Sequence, residues 1–101
     1  MLKHIVLWNL KPEAEGKTAD ENFAQVKELL EGLNGKISEI RKINVFPNAP
    51  DIQGNFDMAL IAEFNSKKDL YAYQKNPLHE EIAVYVKKVV ENRASIDYDF
   101  D

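Results

Sequence analysis

Two histidines and one tyrosine are the residues of this chain best suited to move a proton. His79 follows Asn76 and Pro77 at the head of an amphipathic run, in the stretch Tyr73-Gln-Lys-Asn-Pro-Leu-His79-Glu-Glu-Ile82. Asn76 suits a helix N-cap, since its side-chain oxygen can accept from the free amides of the first turn. Pro77 fits the first helical position, where no backbone donor is needed. Glu80 and Glu81 complement the positive end of the helix dipole. His79 is thereby held where an added positive charge is disfavoured, so its ring stays available as a neutral base or hydrogen-bond partner. His4, in the opening apolar segment, is the only other histidine. A positioned imidazole contributes about 10²–10⁴-fold to a proton transfer, and Tyr73 can donate to a substrate oxygen.

Each of these groups also has a plain structural reading. His79 can simply bond the backbone and fix the helix break. His4 needs a partner if half-buried, since an unpaired polar group there costs about 1–3 kcal/mol; His79, Tyr73, a ligand or a purely structural bond would serve. Tyr73 on a short amphipathic helix can be a packing residue with a wet hydroxyl. Val6, Trp8, Phe23 and Met58 are the apolar candidates for lining a ligand cavity, and core packing is their alternative role. Two histidines without a third convergent ligand do not make a zinc or iron centre, although Asp57 or Asp97 could contribute, so no metal and no cofactor is expected.

The elements that must position these groups can be read from periodicity. Leu2–Leu10 is rich in Ile, Val, Leu and Trp and ends at Lys11-Pro12, as a buried strand does. Thr18 with Glu21 forms a capping-box pattern. Phe23, Val26, Leu29, Leu30 and Leu33 then recur at helical spacing up to Gly32 and Gly35. Ile37–Val45 reads as a charged edge strand, and Phe46–Asn55 as a loop. Phe56, Met58, Leu60, Ala62 and Phe64 alternate strictly, which is the strand period. Ser66 with Asp69 opens a short helix carrying Leu70 and Tyr73. The helix after Pro77 is expected to bury Leu78, Ile82, Val86 and Val89. Ser95–Phe100 alternates as a closing strand.

The order strand, helix, strand, strand, helix pair, strand is the split βαβ arrangement. It predicts a ferredoxin-like α+β fold, βαββαβ, with helices on one face of a four-stranded antiparallel sheet. Right-handed crossovers put the first and third strands in the centre. Both carry apolar residues on both faces: His4, Val6 and Trp8 opposite Ile5 and Leu7, and Met58, Leu60 and Ala62 opposite Ala59 and Ile61. Helices cover only one face, so the other is expected to be an interface, most simply that of a symmetric homodimer.

Bulk properties bound the remaining options. A length of 101 residues, 45% hydrophobic and 30% charged, fits one globular domain over residues 1–101. The formal charge of -4 and the scattering of thirteen Lys and Arg residues argue against a nucleic-acid footprint. The absence of cysteine excludes disulfides and thiol chemistry. No stretch approaches the roughly 20 apolar residues of a transmembrane helix, and no signal-peptide pattern is present. A cytoplasmic protein with no membrane partner is the expectation.

Met1–Trp8, the break from Tyr73 to His79 and the closing Ile96-Asp97-Tyr98, taken in this order and spacing, resemble the stress-responsive α/β-barrel (Dabb) family. That resemblance implies dimers of ferredoxin-like subunits whose sheets form a shared barrel. It extends distantly to polyketide cyclases of the olivetolic acid cyclase type, which close a linear thioester by an aldol reaction without a cofactor. By motif match it implies His79 as base with Tyr73 nearby, and His4 as the first-strand histidine. The cyclase's third-strand histidine falls at Met58 and its histidine before the proline at Asn76. Three classes of function follow. One is a cofactor-independent enzyme acting on a small carbonyl or polyketide-like compound; a second is a binder of a small apolar ligand; a third is a structural, stress-associated dimer. A monooxygenase of the dimeric barrel superfamily is a minor alternative.

Overall fold

The computed structural model describes residues 1–101. Its elements are β1 (Leu2–Leu10), β2 (Glu13–Ala14), β3 (Lys17–Thr18), α1 (Ala19–Glu31), β4 (Ile40–Pro47), β5 (Met58–Phe64), α2 (Lys67–Lys75), α3 (Pro77–Val89) and β6 (Val90–Asp99). The four long strands form one antiparallel sheet in the order β4-β5-β1-β6. The fold is therefore the expected ferredoxin-like α+β sheet, with β1 and β5 central.

Register assigns each residue a face, because neighbours directly opposite one another share a side. One row runs Asp97, His4, Ala62, Ile43, and the next Ser95, Val6, Leu60, Val45. On the central strands and β4 these side chains are buried against the helices, together with Trp8, Met58 and Phe64. The rows between run Ile96, Ile5, Ile61, Asn44 and Ala94, Leu7, Ala59, Phe46. No element of the chain covers that second face, where Ile96 is 59% exposed and Phe46 47%.

The caps form as their residues require. Thr18 and Glu21 make the full capping box at α1, and the Ser66 hydroxyl accepts from the Asp69 amide at α2. Asn76 both ends α2 and starts α3. Its extended backbone, with ψ 131°, is the conformation a following proline imposes, and its side chain accepts from the Leu78 amide at 2.9 Å.

Three strand starts and the exposure of one helix residue differ from the periodic reading. β4 begins at Ile40 rather than Ile37, because the buried Ile37 closes a turn in which its amide bonds Leu33. β5 begins at Met58, since Asp57 is engaged with the β1 end: its carboxylate accepts from the Leu10 amide at 2.7 Å. β6 starts at Val90, directly after α3, so Glu91 belongs to the strand. Leu78 is 43% exposed instead of buried, lying outside the stripe that carries Val86 and Val89. The segment after β1 is a tight hairpin. Glu15 and Gly16 both have positive φ, as a two-residue primed turn demands. Buried Asn22 anchors it, donating to the Ala14 carbonyl and accepting from the Tyr85 hydroxyl.

Candidate functional site

α3 runs beside the sheet toward β6 without closing onto that edge strand, whose residues stay mostly exposed. Between them opens a cavity of about 600 Å³ whose walls come from β1, β5, β6 and all three helices. Nine of its fifteen lining residues are hydrophobic, which matches the largely apolar, few-polar-group character of small-molecule sites of about 300–1,000 Å³.

His4, Tyr73 and His79 all line this one cavity, although they come from three elements. The helix break produces the meeting: α2 delivers Tyr73, and the turn at Asn76-Pro77 folds His79 back over it. Their rings lie 4.3 Å apart, centroid to centroid, and Tyr73 in turn packs 5.1 Å from Phe64. Val6 and Trp8 also line the cavity. Phe23 and Met58 do not. Phe23 is half-buried against the core from α1, and Met58 borders a separate hollow of about 420 Å³ with Phe46 and Phe56.

Each imidazole is tied through the same nitrogen. His79 Nδ1 lies 3.3 Å from the Gln74 carbonyl oxygen, which can only accept, so Nδ1 carries the hydrogen and Nε2 keeps its lone pair. Burial pushes His79 below the ordinary histidine value of 6.5; the Gln74 hydrogen bond opposes it in part, with smaller opposite contributions from His4, which lowers it, and Glu80, which raises it. His4 Nδ1 bonds the Asp97 carboxylate, its direct neighbour in the β1–β6 register. The carboxylate favours the tautomer with Nε2 unprotonated when the ring is neutral. The Tyr73 hydroxyl makes no hydrogen bond within the chain, yet it is not sealed from solvent. Burial raises it above the usual tyrosine value, so it stays a donor at neutral pH. The arrangement thus offers a neutral imidazole base, a protonated phenol and a carboxylate-held second imidazole around an apolar hollow.

Asp97, Gln74, Lys87 and Arg93 were not among the site residues expected from sequence. Asp97 sits on β6 in the alternating Ser95-Ile-Asp-Tyr-Asp99, so its face was legible, but the residue opposite His4 depends on register. Gln74, Lys87 and Arg93 line the cavity on exposed parts of α2, α3 and β6, where sequence alone suggests only solvated surface.

This sheet, its one-sided helices and its cavity define a ferredoxin-like α+β domain. The sequence matches the Stress responsive A/B Barrel Domain family over residues 2–100, and the chain belongs to that family. Among solved structures it is similar to a dimeric protein of unknown function and ferredoxin-like fold from Bacteroides fragilis. That pair shares 33% identity over 98% of this chain and 95% of the other, with a TM-score of 0.83. It also resembles a hydroxynitrile lyase from Passiflora edulis at 17% identity, covering 99% and 93% of the two chains, TM-score 0.78. A putative antibiotic biosynthesis monooxygenase from Nitrosomonas europaea matches at 16% identity, covering 99% and 98%, TM-score 0.76. The last two likenesses concern the fold. Among curated proteins, none matches the sequence.

Proposed function

We propose that this protein is a small cofactor-independent enzyme that moves a proton beside the carbonyl group of an apolar compound. The observation that carries the reading is the convergence of His79, Tyr73 and His4 on one apolar cavity of about 600 Å³. His79 Nε2 takes the proton from the carbon next to the carbonyl. The Tyr73 hydroxyl donates a hydrogen bond to the carbonyl oxygen as it gains enolate charge, which is where a fixed donor has most effect. His79 returns the proton to carbon, and His4, held by Asp97 through Nδ1, orients the substrate by accepting from its enol hydroxyl at Nε2. Val6 and Trp8 cover the apolar part of the substrate. The working unit is a homodimer joined through the open sheet face, as the dimeric Bacteroides relative suggests.

The test is exchange of the carbonyl-adjacent protons of octan-2-one with deuterated water. The native protein accelerates it, His79→Ala loses about 10²–10⁴ of that acceleration, and Tyr73→Phe loses part. Equal exchange by native protein and His79→Ala, or none by either, removes the catalytic reading. A binder without chemistry is then favoured by a specific observation: His79 already spends one nitrogen on a backbone carbonyl and stacks on a buried ring. The monooxygenase alternative draws on fold likeness alone.

A further inference from the structure

The cavity is polarised along its length. His4, Tyr73, His79 and Glu80 line it together with Lys87 and Arg93. His79 and Glu80 lie on the first turn of α3 and Lys87 near its last, so seven residues separate Glu80 from Lys87, about 10 Å along the axis. The strand beneath shows a comparable interval. His4 pairs with Asp97 and Trp8 with Arg93, and four residues of strand span about 13 Å. α3 passes directly into β6 at Val90, so Lys87 and Arg93 flank one chain reversal.

Neither cation has an acidic partner. The chain's ion pairs use Lys3, His4, Lys27 and Lys88, and the only side-chain bond of Arg93 is to the Ser95 hydroxyl at 3.3 Å. Two unpaired cations lining the same end of an apolar cavity are unusual in a chain whose net charge is -4. Glu80, the acid on the wall, lies at the opposite end, beside His79.

We propose that the ligand is an amphipathic acid: an apolar chain with a carboxylate held by Arg93 and Lys87, its carbonyl lying about 12 Å away at His79. Arg93 presents a planar fork suited to two carboxylate oxygens, and Lys87 adds a point charge. The carbonyl end of this statement rests on the proton-transfer reading above; the anionic end does not.

Trp8 is the only tryptophan and lines the cavity, so its fluorescence reports occupancy directly. Octanoate and octan-1-ol carry the same apolar chain and differ in charge. Octanoate is expected to bind about tenfold more tightly, equivalent to about 1.4 kcal/mol, and the preference should shrink as salt rises. The exposed positions tolerate Arg93→Gln with Lys87→Gln, and this double variant should bind the two probes equally, while Arg93→Lys retains most of the preference. Equal binding by the native protein, no Trp8 response to octanoate, or a preference that survives the double variant overturns the proposal. His79→Gln should still prefer octanoate, so failure of the proton-transfer reading and failure of the anion site give different results.

Discussion

At the scale of single residues, His79 is defined by what surrounds its two nitrogens. Nδ1 is occupied by the Gln74 carbonyl, and burial keeps the ring neutral at neutral pH. The same desolvation carries a stability consequence. The unfolded chain holds the His79 proton at an ordinary value near 6.5 while the folded chain holds it less tightly. The unfolded state therefore binds more protons in the window below 6.5, and stability must fall as the pH drops from about 6.5 toward the lower folded value. Above that window the group contributes no pH dependence. Denaturant unfolding of the native protein and His79→Gln between pH 7.5 and 5 should show the variant losing less stability on the acid side. Parallel curves would mean that His79 is as well solvated folded as unfolded. The type and location of His79 and Tyr73 were legible in the sequence, because Asn76-Pro77 and the flanking helix signals fix where the chain turns. The ring stacking of the pair was not, since it depends on the angle at which α3 leaves α2.

At the scale of elements, register is the deciding variable. A strand's faces follow from alternation, so the helix-facing set His4, Val6 and Trp8 could be assigned from sequence. Which β6 residue stands beside His4 could not, because nothing local fixes how far β6 slides along β1. The observed pairing selects Asp97. Asp97 is best regarded as a positioning residue: it holds His4 Nδ1 and thereby the direction of Nε2. Asp97→Asn should keep the fold, since the Asp97 side chain is 42% exposed, and should lower the rate of octan-2-one exchange with an altered pH profile. A change in rate with an unchanged profile would instead assign Asp97 a packing role. Register also places Met58 between Trp8 and Pro47, on the β4 side of a row whose β1 and β6 members, Trp8 and Arg93, line the cavity, so Met58 borders the separate hollow instead. Phe23 misses it because the inner face of α1 is set by Asn22, Val26 and Leu30.

For the whole molecule, the uncovered sheet face is the dominant feature. Ile5, Ile61 and Ile96 form one row across three strands, with Leu7, Ala59 and Ala94 forming the next. A contiguous apolar surface of that kind is covered by association. A second copy docking sheet to sheet would bury at least about 1,200 Å² in total, the range of stable complexes. The apolar character of both faces was readable from β1 and β5 alone. The full extent of the surface was not, because β6 proved five residues longer at its start than its alternation indicated. Sedimentation of the native chain at micromolar concentration should give a dimer. Ile96→Asp should give a folded monomer: Ile96 is already 59% exposed in the single chain, so a charge there costs little until a partner buries it. A native monomer, or an Ile96→Asp dimer, would assign the face another purpose. No helix is long and apolar enough to cross a membrane.

The proposed role of His79 as base requires a neutral imidazole with the lone pair free on Nε2, in the cavity wall beside Tyr73. With only two histidines in the chain, a nitrogen NMR titration of the imidazoles resolves the point, assigned with His4→Gln and His79→Gln. His79 should titrate below 6.5, the ordinary value, and its neutral form should carry the hydrogen on Nδ1. A His79 midpoint at or above that value, or a neutral ring with the hydrogen on Nε2, would contradict it.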